Sequence, residues 1–479
     1  MTLEARLDHP SPTTASTLPP PADAAVAVRP AGAAGTTTSP PADRAGTTTS
    51  RLADRRVAEV FAPIIHALLG SDLPVRFECW DGSSVGPDDA PGTLHVRSAD
   101  ALRRIVWSPN ELGLGRAYVA GDLDVSGDIY AVMLALRDAA PSNILRRPKD
   151  AMEILKTAQA LGAIGRPLPP PPEEARPKGW RRHTKDRDAQ VISHHYDVGN
   201  DFYRLVLGPS MTYSCARFTE PGMDLAAAQA SKHELICRKL GLHEQRGQRL
   251  LDVGCGWGSM AMHAAANHGV RVVGITISTA QAEAARRRVD EAGLSDLVEI
   301  RLQDYRDIAG ETFDAISSVG MSEHVGASRI DEYFGLLRAA LRPRGRLLNH
   351  AISSVSGSKM RRTGFIYRYV FPDGELLDVG DSVKAMEKVG FEVRDVESLR
   401  EHYALTLREW VKNLEGNWDR AVELAGLPRA RIWRLYMAGS AIGFEDGGNN
   451  VHQVLGVVPD PDGGSGMPRN RDGWSTASG

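Results

Sequence analysis

The chain lacks several features that would assign it to common classes of protein. It has no uninterrupted apolar run of about 18 residues, so the sequence predicts no membrane-spanning helix. Its N-terminus has no basic region followed by an apolar core, which argues against a secretory signal. With 57 lysine and arginine residues against 60 acidic ones, the chain has no overall positive field to attract nucleic acid. We therefore expect no nucleic-acid partner.

Cysteine is also scarce, and its placement is uninformative for metal binding. The four cysteines show no CxxC spacing and do not resemble a disulfide framework, so we predict no metal site. The simplest interpretation is a reduced, cytoplasmic protein, and any membrane contact is then peripheral to the inner face of the membrane. The cysteines are Cys79, Cys215, Cys237 and Cys255.

What the chain does contain divides it into five segments. Residues 1–52 are dominated by Ala, Pro, Thr, Ser and Gly and cannot bury enough surface to offset the entropy of ordering, so we predict a disordered tail. Residues 53–145 have a helical pattern at 56–69, strand-like patterns at 75–80 and 94–96, and a mostly helical stretch at 98–137 that Gly113, Gly115 and Gly121 interrupt. These patterns predict a small α+β domain. Residues 146–190 form a Pro-rich, basic linker, residues 191–457 a larger domain, and residues 458–479 a second disordered tail.

Two interpretations of the basic linker remain open. Its cations and Trp180 fit either a solvated connector or a contact with anionic lipid headgroups, where each cation contributes about 1 kcal/mol. The cations are Arg176, Lys178, Arg181, Arg182, Lys185 and Arg187.

The larger domain alternates short apolar strands with helices, which predicts a doubly wound, mostly parallel α/β sheet of the Rossmann-like type. Ligands of such sheets bind beyond the carboxyl ends of the strands. The predicted strands are Arg249–Val253, Val270–Ile275, Val298–Leu302, Phe313–Ser318 and Arg346–Ala351.

A glycine-rich loop, Asp252–Gly258, directly follows the first of these strands and opens a helix. A lone Gly-x-Gly is weak evidence, because dinucleotide-binding dehydrogenases share it. Here the acidic Asp252 suits an amine-bearing ligand better than a pyrophosphate, and the spacing departs from Gly-x-Gly-x-x-Gly. We therefore favour an S-adenosylmethionine-dependent methyltransferase over a dehydrogenase. We assign ribose contacts to Thr276 and Gln281, and the adenine amine to Asp304.

Several long motifs in the same order resemble the cyclopropane-fatty-acid synthase family of class I methyltransferases. The resemblance covers residues 190–457, and residues 55–145 resemble the lipid-associated N-terminal domain of full-length synthases. The motifs are Ser193–Tyr203, Met211–Ala216, Gln303–Asp307, Gly320–Gly326 and Tyr369–Gly374.

The resemblance implies a bicarbonate or carbonate ion as general base, held by a set of catalytic candidates. Those candidates are Cys215, Glu323, His350, Tyr403 and the backbone carbonyl of Ile352. It also implies that Tyr213 and Ser214 line the methionine end of the cofactor and Tyr305 the adenine end. The complete predicted cofactor set is Tyr213, Ser214, Asp252, Gly254, Gly256, Gly258, Thr276, Ile277, Gln281, Asp304 and Tyr305.

Each catalytic candidate also has an ordinary structural explanation. Cys215 can be a packed thiol, Glu323 a helix cap, His350 a satisfied interior imidazole and Tyr403 a core residue. His194 and His195 stay ambiguous between a functional and a structural role. Only the convergence of the candidates on one side of a sheet favours a site.

The implied reaction places a methyl group on the cis double bond of a phospholipid acyl chain such as oleoyl. The resulting carbocation loses a proton from the new methyl and gives a cyclopropane, or gives a 10-methylene group if a hydride migrates first. Residues Asn110–Asp122 and Ser398–Trp410 are similar to the subgroup tied to tuberculostearic acid synthesis, so we favour the methylene product.

Two other classes of protein compete with this interpretation. A soluble small-molecule methyltransferase would not need the N-terminal domain or the basic linker. A non-catalytic lipid-binding protein would tolerate a degenerate glycine loop, whereas this loop is complete. A homodimer and a separate reductase partner are left open by the sequence.

Overall fold

The computed structural model describes residues 56–139, 152, 156–175, 185, 198–308, 310–355 and 361–474. The predicted N-terminal tail, Trp180, His194 and His195 lie outside the described residues, as does the basic cluster apart from Lys185. No helix within the described ranges combines the length and the apolar character needed to cross a membrane.

The first part of the described chain forms a four-stranded sheet in the order β2-β1-β3-β4. Strands β1 and β3 are parallel, and the other neighbours are antiparallel. The strands are β1 (Arg76–Cys79), β2 (Ser84–Val85), β3 (Gly92–Val96) and β4 (Leu123–Gly127). The helices are α1 (Val57–Leu69), α2 (Ala99–Trp107), α3 (Glu111–Ala120) and α4 (Ile129–Ala139).

Strands β1 and β3 and helix α1 agree with the sequence patterns, but β4 lies in a region that the sequence predicted as mostly helical. Helix α3 ends at Gly121, whose φ of 83° is left-handed and reverses the chain. The five residues that follow then pair with β3 from Val96 to Gly92. The glycine that looked like an interruption of one helix is therefore the boundary between a helix and a strand.

The second part of the chain builds a larger sheet in the order β11-β12-β9-β8-β5-β6-β7, with the short β10 beside β9. The run from β9 to β7 is parallel, while β12 and β11 are antiparallel at one edge. This is the predicted doubly wound α/β architecture. The strands are β5 (Arg249–Val253), β6 (Arg271–Thr276), β7 (Val298–Leu302), β8 (Phe313–Val319), β9 (Leu341–Ser354), β10 (Leu377–Asp378), β11 (Glu392–Ser398) and β12 (Asn449–Val457).

Helices cover the larger sheet and its carboxyl edge. The strand order reverses at β5, which has β6 on one side and β8 on the other, and a crevice for ligands forms at such a reversal. The helices are α5 (Asn200–Leu207), α6 (Leu225–Leu240), α7 (Ser259–His268), α8 (Thr279–Glu291), α9 (Ser322–Val325), α10 (Ile330–Ala339), α11 (Phe365–Tyr369), α12 (Val379–Lys388), α13 (Arg400–Gly416), α14 (Trp418–Ala425) and α15 (Leu427–Glu445).

The N-terminal sheet contacts the larger part of the chain through α15 and α11. Arg431 of α15 pairs with Asp124 at 2.9 Å, and Arg434 Nη1 donates to the carbonyl oxygen of Val125 at 3.2 Å. A Cβ atom at Gly115 would overlap the ring of Phe365, so the absence of a side chain permits α3 to approach α11 closely. The division at residues 145 and 190 stays a prediction.

Residues 458–474 differ from the disordered tail that composition predicted. Trp474 is buried in a cluster with residues of α6, and Arg471 forms an ion pair with Asp395 at 2.7 Å. Arg344 also pairs with Asp460. The glycine content that suggested disorder instead lets this segment turn along the surface, where two ion pairs and one tryptophan hold it.

Candidate active site

Two adjoining cavities lie at the carboxyl ends of the parallel strands. The first follows the glycine loop after β5, and the second lies between β9, α13 and α15. Four residues line both cavities, which places the two sites side by side. They are Tyr213, Ser214, Gly320 and His324.

The glycine loop reaches the first cavity because its backbone adopts left-handed conformations. Gly254, Gly256 and Gly258 have φ values of 72°, 55° and 80°. A Cβ atom at Gly254 would overlap the side chain of Met321, so only glycine fits there without displacement. Gly258 precedes α7 and would meet Ala285 at 3.4 Å, a position that serves helix packing.

The structure brings ten of the eleven predicted cofactor residues into the first cavity. The exception is Gly258, which does not line it. The ten are Tyr213, Ser214, Asp252, Gly254, Gly256, Thr276, Ile277, Gln281, Asp304 and Tyr305.

Asp252 is a buried carboxylate with unused hydrogen-bonding capacity. Its Oδ1 accepts from the Ser317 hydroxyl at 2.7 Å, while its Oδ2 has no partner among the described residues. Burial raises the pKa of Asp252 to about 6, and the Ser317 hydrogen bond and Lys232 oppose that increase. An amine bound in this cavity would satisfy the remaining oxygen.

The polar residues that follow β6 and β7 are partly committed to one another. The Thr276 hydroxyl donates to Gln281 Oε1 at 3.0 Å. Asp304 forms a bidentate ion pair with Arg306, with Nε at 2.7 Å from Oδ1 and Nη2 at 2.9 Å from Oδ2. Both oxygens of Asp304 are thereby engaged, and its role toward an adenine amine stays a prediction.

All five predicted catalytic residues line the second cavity, although they come from four separate parts of the chain. Glu323 lies on α9, His350 and Ile352 on β9, and Tyr403 on α13, while Cys215 lies in the loop between α5 and α6. Parallel strands ending at one edge of the sheet bring these distant segments together.

Glu323 and His350 each present one unsatisfied buried atom. Glu323 Oε1 accepts from the Ile352 backbone N–H at 2.7 Å, and His350 Nδ1 lies 3.3 Å from the side-chain nitrogen of Gln453. Glu323 Oε2 and His350 Nε2 have no hydrogen-bond partner within the described ranges. Burial raises the pKa of Glu323 to about 7 and lowers the pKa of His350 well below its usual value.

Cys215 and Tyr403 complete this group. The Cys215 thiol donates to backbone oxygens of Ala216 and Leu399 at 3.1 and 3.6 Å, and burial raises its pKa. Tyr403 is buried against Trp410 and Phe444, with ring centroids 6.0 and 4.7 Å away. The thiol and the His350 imidazole are therefore neutral at pH 7, and Glu323 is near its titration midpoint.

Comparison with known proteins decides which family has this arrangement. The family model described as mycolic acid cyclopropane synthetase matches residues 183–454, more than half of the chain. The chain belongs to this cyclopropane synthase family. It is accordingly an S-adenosylmethionine-dependent methyltransferase, as the glycine loop and the motifs predicted.

Three curated relatives extend this similarity into the N-terminal part of the chain. A "probable fatty acid methyltransferase" of Mycobacterium tuberculosis is 45% identical over 82% of this chain and 93% of its own length. A tuberculostearic acid methyltransferase of the same organism is 33% identical over 83% and 91%. The cyclopropane-fatty-acyl-phospholipid synthase of Escherichia coli is 32% identical over 76% and 88%.

A solved structure supports the fold of the larger part of the chain. The mycolic acid cyclopropane synthase CmaA1, in complex with SAH and CTAB, is 34% identical and has a TM-score of 0.53. The match covers 56% of this chain and 98% of that one. The predicted class I methyltransferase fold is thus confirmed.

Sequence reasoning missed the apolar wall of the second cavity. This wall comes largely from helices near the C-terminus, whose residues carry no local motif and whose apolar side chains look like ordinary core. It comprises Ile366, Phe371, Leu376, Leu407, Tyr436, Phe444 and Val451. Lys232, which lines the first cavity from α6, was also absent from the residues predicted from the sequence.

One group of side chains of the kinds that bind metal ions lies outside both cavities. Cys237, His263 and His268 place one ligand atom each within 4.8 Å of one another. Both imidazoles already contact Glu234 Oε2, at 3.4 and 2.9 Å, and Arg238 pairs with the same carboxylate at 2.7 Å. These contacts account for the arrangement of the two histidines.

Proposed function

We propose that this enzyme transfers a one-carbon unit from S-adenosylmethionine to the cis double bond of an unsaturated phospholipid acyl chain, such as oleoyl. The observation that carries the proposal is the adjacency of a polar cavity and an apolar one that share Tyr213, Ser214, Gly320 and His324. A methyl donor and an alkene must meet in line and away from water, and two adjoining cavities lined mostly by buried side chains are suited to that arrangement.

The first cavity fits S-adenosylmethionine in one orientation. Tyr305 would contact the adenine, Thr276 and Gln281 the ribose, and Tyr213 and Ser214 the methionine end. The unsatisfied Oδ2 of Asp252 supports a bound amine. When bound there, S-adenosylmethionine would supply the methyl group.

The second cavity fits an acyl chain because its wall is mostly apolar. Phe371, Leu407 and Phe444 line it, and burial of hydrocarbon against such side chains is favourable by about 25 cal/mol per Å². An isolated alkene offers no proton for an enzyme to remove, so orientation and desolvation are what these residues contribute.

The same cavity has the groups expected around a bicarbonate ion. The Cys215 thiol, the Glu323 carboxyl and the His350 imidazole are buried, and two of them have an unsatisfied polar atom. Such groups can donate hydrogen bonds to an anion without a buried positive charge. A bicarbonate ion held there would supply the base that removes a proton from the new methyl group.

We favour a 10-methylene product, with a cyclopropane as the alternative from the same carbocation. Overall similarity does not separate the two outcomes. The tuberculostearic acid methyltransferase is 33% identical to this chain, and the solved cyclopropane synthase is 34% identical. A methylene product would require a separate reductase to become a methyl branch, and peripheral contact with the membrane would give access to the lipid.

The proposal is tested by incubating the full-length protein with methyl-labelled S-adenosylmethionine and liposomes. Vesicles of dioleoyl phospholipid should take up label, and vesicles of the matched distearoyl lipid should not, because only the former contain the alkene. Absence of label in the dioleoyl vesicles would contradict the proposal. Label in both would indicate methylation of a headgroup.

The product is identified from the same lipid extract. Proton NMR should show the vinylidene protons of a methylene group, whereas upfield ring protons would establish a cyclopropane. Mass alone cannot distinguish them, because both products add one carbon and two hydrogens.

A further inference from the structure

Lys232 is a buried lysine to which the proposed chemistry gives no role. It lies on α6, is 1% exposed, and lines the first cavity together with Ser214 and Asp252. Burial of an ammonium group costs several kcal/mol unless an anion or several hydrogen bonds compensate it. Burial lowers the pKa of Lys232 to about 7, so its ammonium form is fully retained at neutral pH only when a ligand compensates the charge.

The described contacts compensate Lys232 only in part. An ammonium group has three protons to donate, and among the described residues one hydrogen bond is found, from Nζ to the neutral Ser214 hydroxyl at 2.8 Å. Asp252 lines the same cavity, but its Oδ1 accepts from Ser317 and its Oδ2 has no partner in the described part of the chain. The two opposite charges share a cavity without a hydrogen bond between them.

A direct ion pair would be the ordinary arrangement for two such groups. Because no hydrogen bond joins them, one donor group and one acceptor group in the same cavity remain available to a ligand. The ligand that fits has both an ammonium and a carboxylate, as the methionine end of S-adenosylmethionine does. Ser214, the hydrogen-bond partner of Lys232, lies at the end of the cavity that we assign to methionine.

We propose that Lys232 binds the α-carboxylate of the methionine moiety of S-adenosylmethionine. The assignment rests on the cofactor orientation in the proposed function. The carboxylate replaces the missing partner of the buried ammonium, and Ser214 holds the lysine side chain toward it. Lys232 thereby contributes to the affinity for the whole amino acid and discriminates against adenosine derivatives that lack the carboxylate.

A structural alternative is that Lys232 only supports the loop around Ser214. Gln229, one turn earlier on α6, already donates to the Ser214 backbone oxygen at 2.8 Å and to the Thr212 backbone oxygen at 3.4 Å. Loop support therefore does not require a charge at position 232. The two roles predict different ligand selectivity, which allows an experiment to separate them.

The experiment compares two ligands in titration calorimetry on the full-length protein. One is S-adenosylhomocysteine, and the other is its decarboxylated analogue, which keeps the amine. Lys232→Met removes the charge and retains the length of the side chain. The matched control is Lys384→Met on α12, where the side chain is 80% exposed and lines neither cavity.

The wild-type protein and Lys384→Met should prefer S-adenosylhomocysteine by about tenfold to a hundredfold, the usual range for a hydrogen bond to a charged group. Lys232→Met should lose that preference through weaker binding of S-adenosylhomocysteine, with the analogue bound as well as before. The ratio of the two affinities is insensitive to partial unfolding of a variant, because both ligands see the same folded fraction.

An unchanged ratio in Lys232→Met would overturn the assignment and leave the proposed function intact. Equal weakening of both ligands would do the same, because it is what loop support alone produces. Failure of the wild-type protein to bind S-adenosylhomocysteine would instead overturn the proposed function, and the role of Lys232 with it.

Discussion

The two cavities share one wall yet differ in how they are built. The first is formed mainly by strand ends and the glycine loop, and it presents polar side chains, including Lys232 and Asp252. The second is enclosed by helices α11, α13 and α15 and is mostly apolar. The difference indicates that one cavity selects a charged nucleoside by hydrogen bonds, and the other accepts a hydrocarbon by shape and burial.

Each cavity contains one buried carboxyl group, and their surroundings separate the two roles. Asp252 has a hydroxyl donor and a nearby lysine, and its pKa is about 6. Glu323 has only backbone donors, and its pKa is about 7. Near neutral pH the first is mostly charged, as recognition of an amine requires, and the second is close to half protonated.

The largest effect on turnover should come from Glu323→Gln, which removes the carboxyl group from the second cavity and leaves the first cavity unchanged. Gln can still accept from the Ile352 backbone N–H, so the fold should hold. We expect turnover to fall by roughly a hundredfold or more, because the bicarbonate ion would lose one of the groups that hold it and a positioned general base contributes about that much. Affinity for S-adenosylhomocysteine should stay within about twofold. Unchanged turnover would remove Glu323 from the reaction.

The same variant tests whether the pKa of Glu323 is raised, through the pH dependence of the free energy of unfolding. The folded Glu323 keeps its proton up to about pH 7, whereas the unfolded side chain loses it near 4.5, so a rise in pH through this window favours the unfolded state. Between pH 5 and 8 the wild type should lose about 2 kcal/mol of unfolding free energy relative to Glu323→Gln. Denaturant titrations at the two pH values measure this difference. Parallel pH profiles would mean that Glu323 titrates normally.

Asp252→Asn should produce the opposite pattern to Glu323→Gln. Asn can still accept from Ser317 but carries no charge for an amine, so affinity for S-adenosylhomocysteine should fall by about tenfold. Turnover at saturating cofactor should change much less. A variant that bound cofactor normally but could not turn over would place Asp252 in the chemistry instead.

An effect of similar size should follow from narrowing the apolar cavity. Ser440 on α15 lines it, and Ser440→Leu should fill part of the volume meant for the acyl chain. We expect kcat/KM for dioleoyl lipid to fall by about tenfold, within the range known for one or two misplaced methylene groups. Ser440→Ala is the matched control and should behave as wild type. Equal activity of Ser440→Leu would show that the chain binds elsewhere.

The difference between the two cavities also explains which residues could be predicted from the sequence. The first cavity depends on contiguous motifs, because strand, glycine loop and helix follow one another between Arg249 and His268. Asp252, Gly254 and Gly256 come from this stretch, and the other seven predicted residues that line the cavity come from the ends of the next two strands or shortly after them, and from the segment before α6. The second cavity could be anticipated only through the family resemblance, since Cys215 and Tyr403 are far apart in the chain and their residue types alone do not mark either as catalytic.

Other features could not be predicted from one sequence. Lys232 lies in a helix where a lysine is ordinarily solvent-exposed, and no pattern indicates that its face is buried. Trp474 follows a glycine-rich stretch that resembles a flexible tail, yet it packs against α6. Strand β4 follows a left-handed glycine that a helical pattern conceals. In each case tertiary contacts override the local composition.

In the proposed reaction a methyl group reaches the alkene and then loses a proton to a base in the second cavity. Its most direct test is mass spectrometry of dioleoyl lipid after reaction with S-adenosylmethionine that carries three deuterium atoms on the methyl group. Because either product forms by loss of one hydrogen nucleus from that methyl, the modified acyl chain should retain two deuterium atoms. Retention of all three would contradict the loss of a proton from the transferred methyl group.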